Sequence, residues 1–129
     1  MGDAVSIHDV LGDGPRLRIV DGPGDVRAVV WPGMGAAHRS IHRYSLDPGA
    51  ATVPLEHPGE AVFYVQAGTG EVEDLAAGVA QPVRCSEMVH VDAGTRYRFR
   101  CTGMEPLVLL GGPAPPDPNL YAHLGDKGD

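Results

Sequence analysis

Short apolar runs separated by glycine- and proline-containing turns recur along the chain. Asp21-Gly-Pro-Gly24 and Asp47-Pro-Gly49 are turn sequences, because glycine and proline favour the backbone angles that tight turns require. No helical period longer than a turn or two stands out. Strands are predicted at residues 17–20, 26–31, 38–46, 62–65, 88–91, 97–101 and 106–110. The pattern predicts an all-β fold.

The most regular alternation lies between His38 and Leu46. Successive side chains of a strand point to opposite faces. One face therefore carries Ser40, His42, Tyr44 and Leu46, whereas Ile41, Arg43 and Ser45 share the other. We expect the first face to point into the protein.

The two ends of the chain have weaker patterns. Residues 1–15 are expected to form an outer strand and a turn. Residues 111–118, Gly-Gly-Pro-Ala-Pro-Pro-Asp-Pro, are expected to stay outside the sheet interior, because proline donates no ladder hydrogen bond. Leu120, Tyr121 and Leu124 would anchor this tail, and residues 125–129 are expected to be frayed.

Composition narrows the class of protein. A chain of 129 residues suits one domain, and its net charge of -7 argues against binding to nucleic acid. The arginines of Arg96-Tyr-Arg98-Phe-Arg100 would share one solvated strand face. With no apolar run near 18 residues and no export signal at the start, we expect a cytoplasmic protein without a membrane span. Its two cysteines, Cys85 and Cys101, would then be reduced.

Two stretches, Gly49–Gly68 and Ser86–Gly103, resemble the two conserved motifs of the cupin family, which are small jelly-roll β-barrels. Gly49 and Gly68 frame the first motif, and Gly94 supplies the turn of the second. The resemblance spans about residues 40–111. It implies a single cupin domain over residues 1–129, with a barrel core at about 16–111 and a proline-rich tail at 112–129. The alanine, glycine, valine and arginine usage is similar to that of high-GC bacteria, in which small cupins often accompany biosynthetic enzymes.

The same resemblance implies where a metal would bind. Metal-binding cupins hold iron, manganese, nickel or zinc with three histidines and a glutamate, and these positions fall on Leu55, His57, Ala61 and Tyr97. Only His57 is a ligand of the family type, whereas catalytic metal sites need about three protein ligands. We therefore expect no cofactor. A divalent transition metal held by His57 with His42 or Glu60, and with Tyr97, stays an alternative.

Without a metal, the resemblance implies an apolar pocket with a few polar groups, which is typical of small-molecule sites. A histidine in such a pocket is kept from charging and can act as a base, and a phenol can donate a hydrogen bond to a carbonyl oxygen. His57 and Tyr97 are the candidates for these catalytic roles. The expected chemistry is isomerisation, dehydration or ring closure of a small molecule, in an enzyme of lyase, isomerase or cyclase type. The substrate-binding candidates are His42, Tyr44, Leu55, Ala61, Phe63, Phe99 and Cys101.

Other interpretations stay open at this point. The barrel could bind a small molecule without catalysis, or be a metal-dependent oxygenase with unusual ligands. His57 could also be a core histidine that bonds to the backbone, and the direction of His90 and Glu60 is undetermined. A homodimer is expected, because pairing would cover sheet edges and an apolar outer face. Residues expected on that face are Val5, Ile7, Val26 and Trp31.

Overall fold

The computed structural model describes residues 4–125 and consists of two antiparallel sheets packed face to face. No helix in this range is long and apolar enough to span a bilayer. Short 3-10 helices lie at Pro32–Met34 and Pro118–Gly125. The strands within residues 4–125 are β1 (Val20–Asp21), β2 (Gly24–Val30), β3 (Ile41–Leu46), β4 (Ala51–Thr52), β5 (Glu60–Ala67), β6 (Thr69–Asp74), β7 (Val79–Arg84), β8 (Met88–Val91), β9 (Tyr97–Cys101) and β10 (Leu107–Ala114).

The strands run in the order β1-β4-β9-β6-β7 in one sheet and β2-β3-β10-β5-β8 in the other. All the paired strands are antiparallel. Successive strands such as β4 and β5, or β5 and β6, lie in different sheets, so the chain crosses repeatedly between the layers. This arrangement confirms the predicted all-β jelly roll.

The core lies between the sheets and is rich in aromatic rings. Phe63 of β5 and Phe99 of β9 meet edge to face with ring centroids 4.8 Å apart. The predicted inner face of β3 is confirmed, because Ser40, His42 and Tyr44 are at most 1% exposed. The strands of the second motif also have the predicted bounds, at β8 and β9.

Three strands, β4, β6 and β7, are absent from the predicted set, and the physical reason is clearest for β7. Val79-Ala-Gln-Pro-Val-Arg84 contains few β-formers and a proline, so it carries little local strand signal. It is nevertheless paired with β6 along its whole length, from Thr69 opposite Arg84 to Asp74 opposite Val79. Pairing with a neighbour therefore overrides the weak propensity of this segment.

The predicted outer strand at the N-terminus is wrong for the residues described, because residues 4–15 contain no strand. Val5 and Ile7 are 79% and 95% exposed, so no neighbouring strand covers them. Val26 cannot belong to an outer dimer face, since it is fully buried in the core. Trp31 is partly buried and lies 5.2 Å from the ring of Tyr121. The homodimer stays a prediction.

The closing strand extends further than predicted, because β10 continues through Gly111-Gly-Pro-Ala114 inside the sheet. Pairing with β3 ends at Gly111, so beyond that point only β5 pairs with β10. The carbonyl of Pro113 accepts hydrogen bonds from the backbone nitrogen of Ser40 at 3.3 Å and from its Oγ at 2.6 Å. The missing N–H of Pro113 therefore falls where the ladder to β3 has already ended.

The tail that follows β10 packs against the core. Leu120 is buried at 6% exposure, and Tyr121 and Leu124 are partly buried against the same cluster, as expected for anchoring residues. Fraying was expected at residues 125–129. Of these, residues 126–129 lie outside the residues that the structure describes.

Candidate active site

His57 lies in the connection between β4 and β5, and backbone bonds to the second motif fix its position. Leu55 and Tyr97 exchange two backbone hydrogen bonds of 2.8 Å, which align this connection with β9. The carbonyl of His57 accepts a third bond, 2.9 Å long, from the nitrogen of Gly94. Two residues beyond Leu55, the His57 side chain enters the interior and is 4% exposed.

Both ring nitrogens of His57 are hydrogen-bonded to side chains. Nδ1 lies 2.7 Å from Oδ2 of Asp117, and Nε2 lies 2.7 Å from the hydroxyl of Tyr97. A carboxylate only accepts, so Nδ1 carries a proton toward Asp117, and with the ring proton there Nε2 can accept from the phenol. Asp117 is 2% exposed, and its Oδ1 accepts from the nitrogen of Asn119 at 3.1 Å. Asp117, His57 and Tyr97 thus form a buried hydrogen-bonded chain.

A second buried histidine, His42, bonds to the same tail. Its Nε2 lies 2.6 Å from the hydroxyl of Tyr121, and its Nδ1 lies 3.5 Å from that of Tyr44. Burial, helped by the nearby His57, lowers the pKa of His42 to about 4. At neutral pH the His42 ring is therefore uncharged.

The three interior phenols are protonated at neutral pH. Burial raises the pKa of Tyr44, of Tyr97 and of Tyr121. Proximity to Tyr44 and to Asp117 adds to the effect on the pKa of Tyr97. A free phenolate at Tyr97 is accordingly unfavourable, and its hydroxyl serves as a donor.

An open cleft of about 530 Å³ lies between the edge strands β7 and β8. Tyr97 lines this cleft, with 1% of its surface exposed, whereas His57 lies behind Tyr97 and is not a lining residue. The cleft is therefore next to one end of the Asp117–His57–Tyr97 chain. Its lining residues are Val72, Glu73, Asp74, Gln81, Pro82, Val83, Glu87, Met88, Val89, His90, Val91, Asp92, Thr95 and Tyr97.

The predicted pocket residues lie together, but they are packed against each other. All of them except Tyr97 stay outside the lining of the β7–β8 cleft, because aromatic rings fill the space between the sheets there. His42 and Tyr44 are likewise buried, and Tyr44 packs on Phe63 at 5.6 Å. Of the nine candidates, Tyr97 alone is among the lining residues of that cleft. The packed apolar candidates, at most 5% exposed, are Leu55, Ala61, Phe63, Phe99 and Cys101.

The alternative metal site with Glu60 is wrong in its geometry. Strand alternation turns Ala61 inward at 1% exposure and points Glu60 outward, where its Oε2 lies 3.2 Å from Nε2 of His90. This also places His90 on the outer surface. Residues 4–125 contain no group of three or more His, Cys, Asp or Glu side chains that could hold a metal.

The family's own metal positions do not fit a metal either. Leu55 and Ala61 have no donor atoms in their side chains, and both nitrogens of His57 are already bonded to Asp117 and Tyr97. The donors at these positions are therefore too few for a site of the family type.

Asp117 was missed as a site residue. It stands between Pro116 and Pro118 in a segment that the sequence assigned to a tail. An acidic residue enclosed by prolines was the only local signal, and nothing in the pattern connects it to a histidine sixty positions earlier. Tyr121 was expected to anchor the tail, but its bond to His42 was not foreseen.

Two antiparallel sheets that enclose paired histidine–tyrosine contacts define a small jelly-roll barrel with a polar interior chain. The family comparison then identifies the chain. It belongs to the cupin family, because the cupin domain model matches residues 42–111, more than half of the chain.

Solved structures of low sequence identity share the fold. A predicted oxalate decarboxylase from Thermotoga maritima has a TM-score of 0.69 at 21% identity, over 82% of this chain and 96% of that chain. A cupin-like protein from the same organism has a TM-score of 0.69 at 20% identity, over 94% and 99%. The polyketide cyclase RemF from Streptomyces resistomycificus has a TM-score of 0.62 at 18% identity, over 90% and 83%. No curated protein sequence matches the chain.

Proposed function

We propose that the protein is a small-molecule enzyme of lyase, isomerase or cyclase type that performs acid–base chemistry at the β7–β8 cleft. The observation that carries this proposal is the buried chain from Asp117 through His57 to Tyr97, with two bonds of 2.7 Å, which ends at a lining residue of the cleft. A hydrogen-bonded carboxylate–imidazole–hydroxyl chain is an arrangement that relays protons in many enzymes.

Tyr97 is the group that would touch the substrate, and His57 acts behind it. A proton leaving a carbon next to a substrate carbonyl moves to the Tyr97 oxygen while the phenolic proton moves to Nε2 of His57. The C–H bonding electrons pass into the carbonyl as an enolate. Asp117, bonded to Nδ1, stabilises the imidazolium that forms. Return of the proton to a different carbon completes an isomerisation. Attack of the enolate carbon on a second carbonyl of the same molecule closes a ring, and the alkoxide that forms takes the proton back through Tyr97 as His57 becomes neutral.

This scheme explains why a tyrosine with a raised pKa can take part. Burial disfavours a free phenolate at Tyr97. In the relay the phenol gains one proton as it gives up another, so no phenolate accumulates. In this scheme His57 contacts Tyr97, whereas the sequence predicted that His57 itself would act as the base on the substrate.

The polyketide cyclase RemF shares the fold with this chain at 18% identity, which is compatible with cyclase chemistry at the level of the fold. A non-catalytic binding barrel is the second candidate. The near-complete burial of Tyr97, at 1% exposure, favours it, because a phenol so enclosed can serve the core alone.

The test uses 2-tetralone, an apolar ketone with acidic C–H bonds, and follows its uptake of solvent deuterium by NMR. The wild-type protein should accelerate exchange, and Tyr97→Phe should slow it by about 100-fold or more, the usual size of general acid–base catalysis. Tyr64→Phe is the matched control, because Tyr64 lies on the outer surface at 37% exposure.

His57→Gln separates a relay from a packing role. In a relay it should lower the rate and alter its pH profile while the variant still folds, because the acceptor of the phenolic proton is lost. Exchange by Tyr97→Phe at the wild-type rate would contradict the proposal. No acceleration by the wild-type protein would favour the binding barrel.

A further inference from the structure

We infer that the β7–β8 cleft accepts an uncharged or cationic molecule with an apolar body and rejects carboxylates and phosphates. The inference deepens the proposed function, because it concerns the same cleft beside Tyr97. It follows from the chemistry of the cleft walls and from the placement of charged side chains on the two faces of one sheet.

The inner walls of the cleft are apolar. Val72 of β6 and Val83 of β7 line one side, and Val89 and Val91 of β8 line the other. Val83 and Val91 are 5% and 8% exposed, so they form a closed floor. A cavity of about 530 Å³ with such walls suits a ring system or a branched chain of drug-like size.

Carboxylates supply the charge within the cleft. Asp74 stands directly opposite Tyr97 in the β6–β9 pairing, so the two side chains share the inward face. Its Oδ1 accepts from the nitrogen of Ala77 at 3.0 Å, and Oδ2 is left for a ligand. Glu87, across the cleft, uses Oε1 to accept from the nitrogen of Arg84 at 2.8 Å. None of the described lining residues is a lysine or an arginine.

The arginines of the same sheet point the other way. Arg98 lies opposite Glu73 on the outer face, with Nε 2.8 Å from its Oε1, and Arg100 lies 3.8 Å from Glu71. The bond from Arg98 lowers the pKa of Glu73, so this carboxylate is charged but already paired. Both guanidinium groups are thus paired with glutamates, and neither arginine is among the lining residues of the cleft.

An anionic ligand would therefore lose water in the cleft without meeting a lysine or an arginine, while Asp74 and Glu87 repel it. An ammonium group would be attracted to both carboxylates, and a neutral ligand would bind through the valines. The net charge of -7 acts in the same direction during the approach of a ligand.

The test compares three probes of one shape: 2-naphthylmethylamine, 2-naphthylmethanol and 2-naphthoate. Each is titrated into the wild-type protein, and binding is followed by amide chemical-shift changes at cleft residues. We expect the amine and the alcohol to shift these amides and the carboxylate to bind at least about tenfold more weakly than the amine, as two nearby carboxylates predict.

Variants connect the preference to the two carboxylates. Asp74→Asn and Glu87→Gln should each reduce the amine-to-carboxylate ratio by about threefold or more. Glu105→Gln is the control, because Glu105 is exposed outside the cleft and its replacement changes the net charge equally. An equal ratio change in the control would assign the preference to net charge and overturn the inference.

The outcomes also separate this inference from the proposed function. Tightest binding of 2-naphthoate at the cleft would overturn the charge preference and leave the Tyr97 relay intact. If Tyr97→Phe and His57→Gln both kept the exchange activity of the wild-type protein, the relay would be overturned and the charge preference would stay intact. No shift at cleft amides with any probe would overturn the charge preference, and the exchange assay would still decide the relay.

Discussion

The neutral state of His42 makes the stability of the protein depend on pH in a predictable way. His42 is fully buried, with Nε2 2.6 Å from the Tyr121 hydroxyl, and burial together with His57 lowers its pKa from 6.5 to about 4. In the unfolded chain the ring takes up a proton near pH 6.5, but in the folded protein it does so only near pH 4. Between these values acid favours the unfolded state, so the contribution is fully present above pH 6.5 and is lost as the pH falls toward 4.

The two pKa values set the magnitude. Their separation corresponds to a total of about 3 kcal/mol of unfolding free energy, of which about 2 kcal/mol is lost between pH 7 and pH 5. A small domain is stable by only about 5–15 kcal/mol, so a loss of this size is measurable.

The assay is urea denaturation of the wild-type protein and of His42→Gln at several pH values from 7 to 5. Glutamine does not titrate, and its amide can still bond to Tyr121, so the variant isolates the protonation of His42. The wild-type protein should lose about 2 kcal/mol more than the variant over this interval. His38→Gln is the control and should follow the wild-type protein, because His38 is exposed.

Comparing the two profiles removes the contributions of other carboxylates and histidines that titrate in the same range. Parallel profiles for wild-type protein and His42→Gln, within about 0.5 kcal/mol, would refute the reasoning, because His42 would then titrate alike in both states.

Two further predictions concern packing and register. Gly111→Ala should destabilise the protein by about 2 kcal/mol or more in thermal denaturation, because its Cβ would collide with the carbonyl of Val62 and with Phe63; an unchanged melting temperature would contradict the close approach of β5 and β10. The triple variant Leu55→His, Ala61→Glu and Tyr97→His should gain melting temperature with nickel or zinc, since all three positions are buried in the interior, as His57 is. A folded triple variant that ignores both metals would show that these side chains do not converge.

Side-chain directions within one strand could be predicted from the sequence, because the alternation of side chains between the two faces of a strand depends only on neighbouring residues. The face of β3 with His42 and Tyr44 and the bounds of β8 and β9 follow from side-chain period and turn residues alone. The motif resemblance placed Ala61 inward, whereas the outward direction of Glu60 was settled only by the structure, in which β5 begins at Glu60 and strand alternation turns Ala61 inward.

Only the tertiary structure decided which residues meet. β7 exists because β6 pairs with it, and Gly111–Ala114 join the sheet because β5 pairs with them, against the preferences of proline and glycine. The open cleft lies beside Tyr97 at the β7–β8 edge, since rings from both sheets fill the space that the motifs predicted to be a pocket.

The contacts within the candidate site also depend on the tertiary structure. The sequence by itself determined that His57 and Tyr97 lie on inward positions of the two motifs. That they bond to each other depends on the pairing of Leu55 with Tyr97, and that Asp117 completes the chain depends on where the proline-rich tail packs. Such a contact joins residues sixty positions apart, and no periodicity along the chain encodes it, because it arises from the packing of the tail against the barrel.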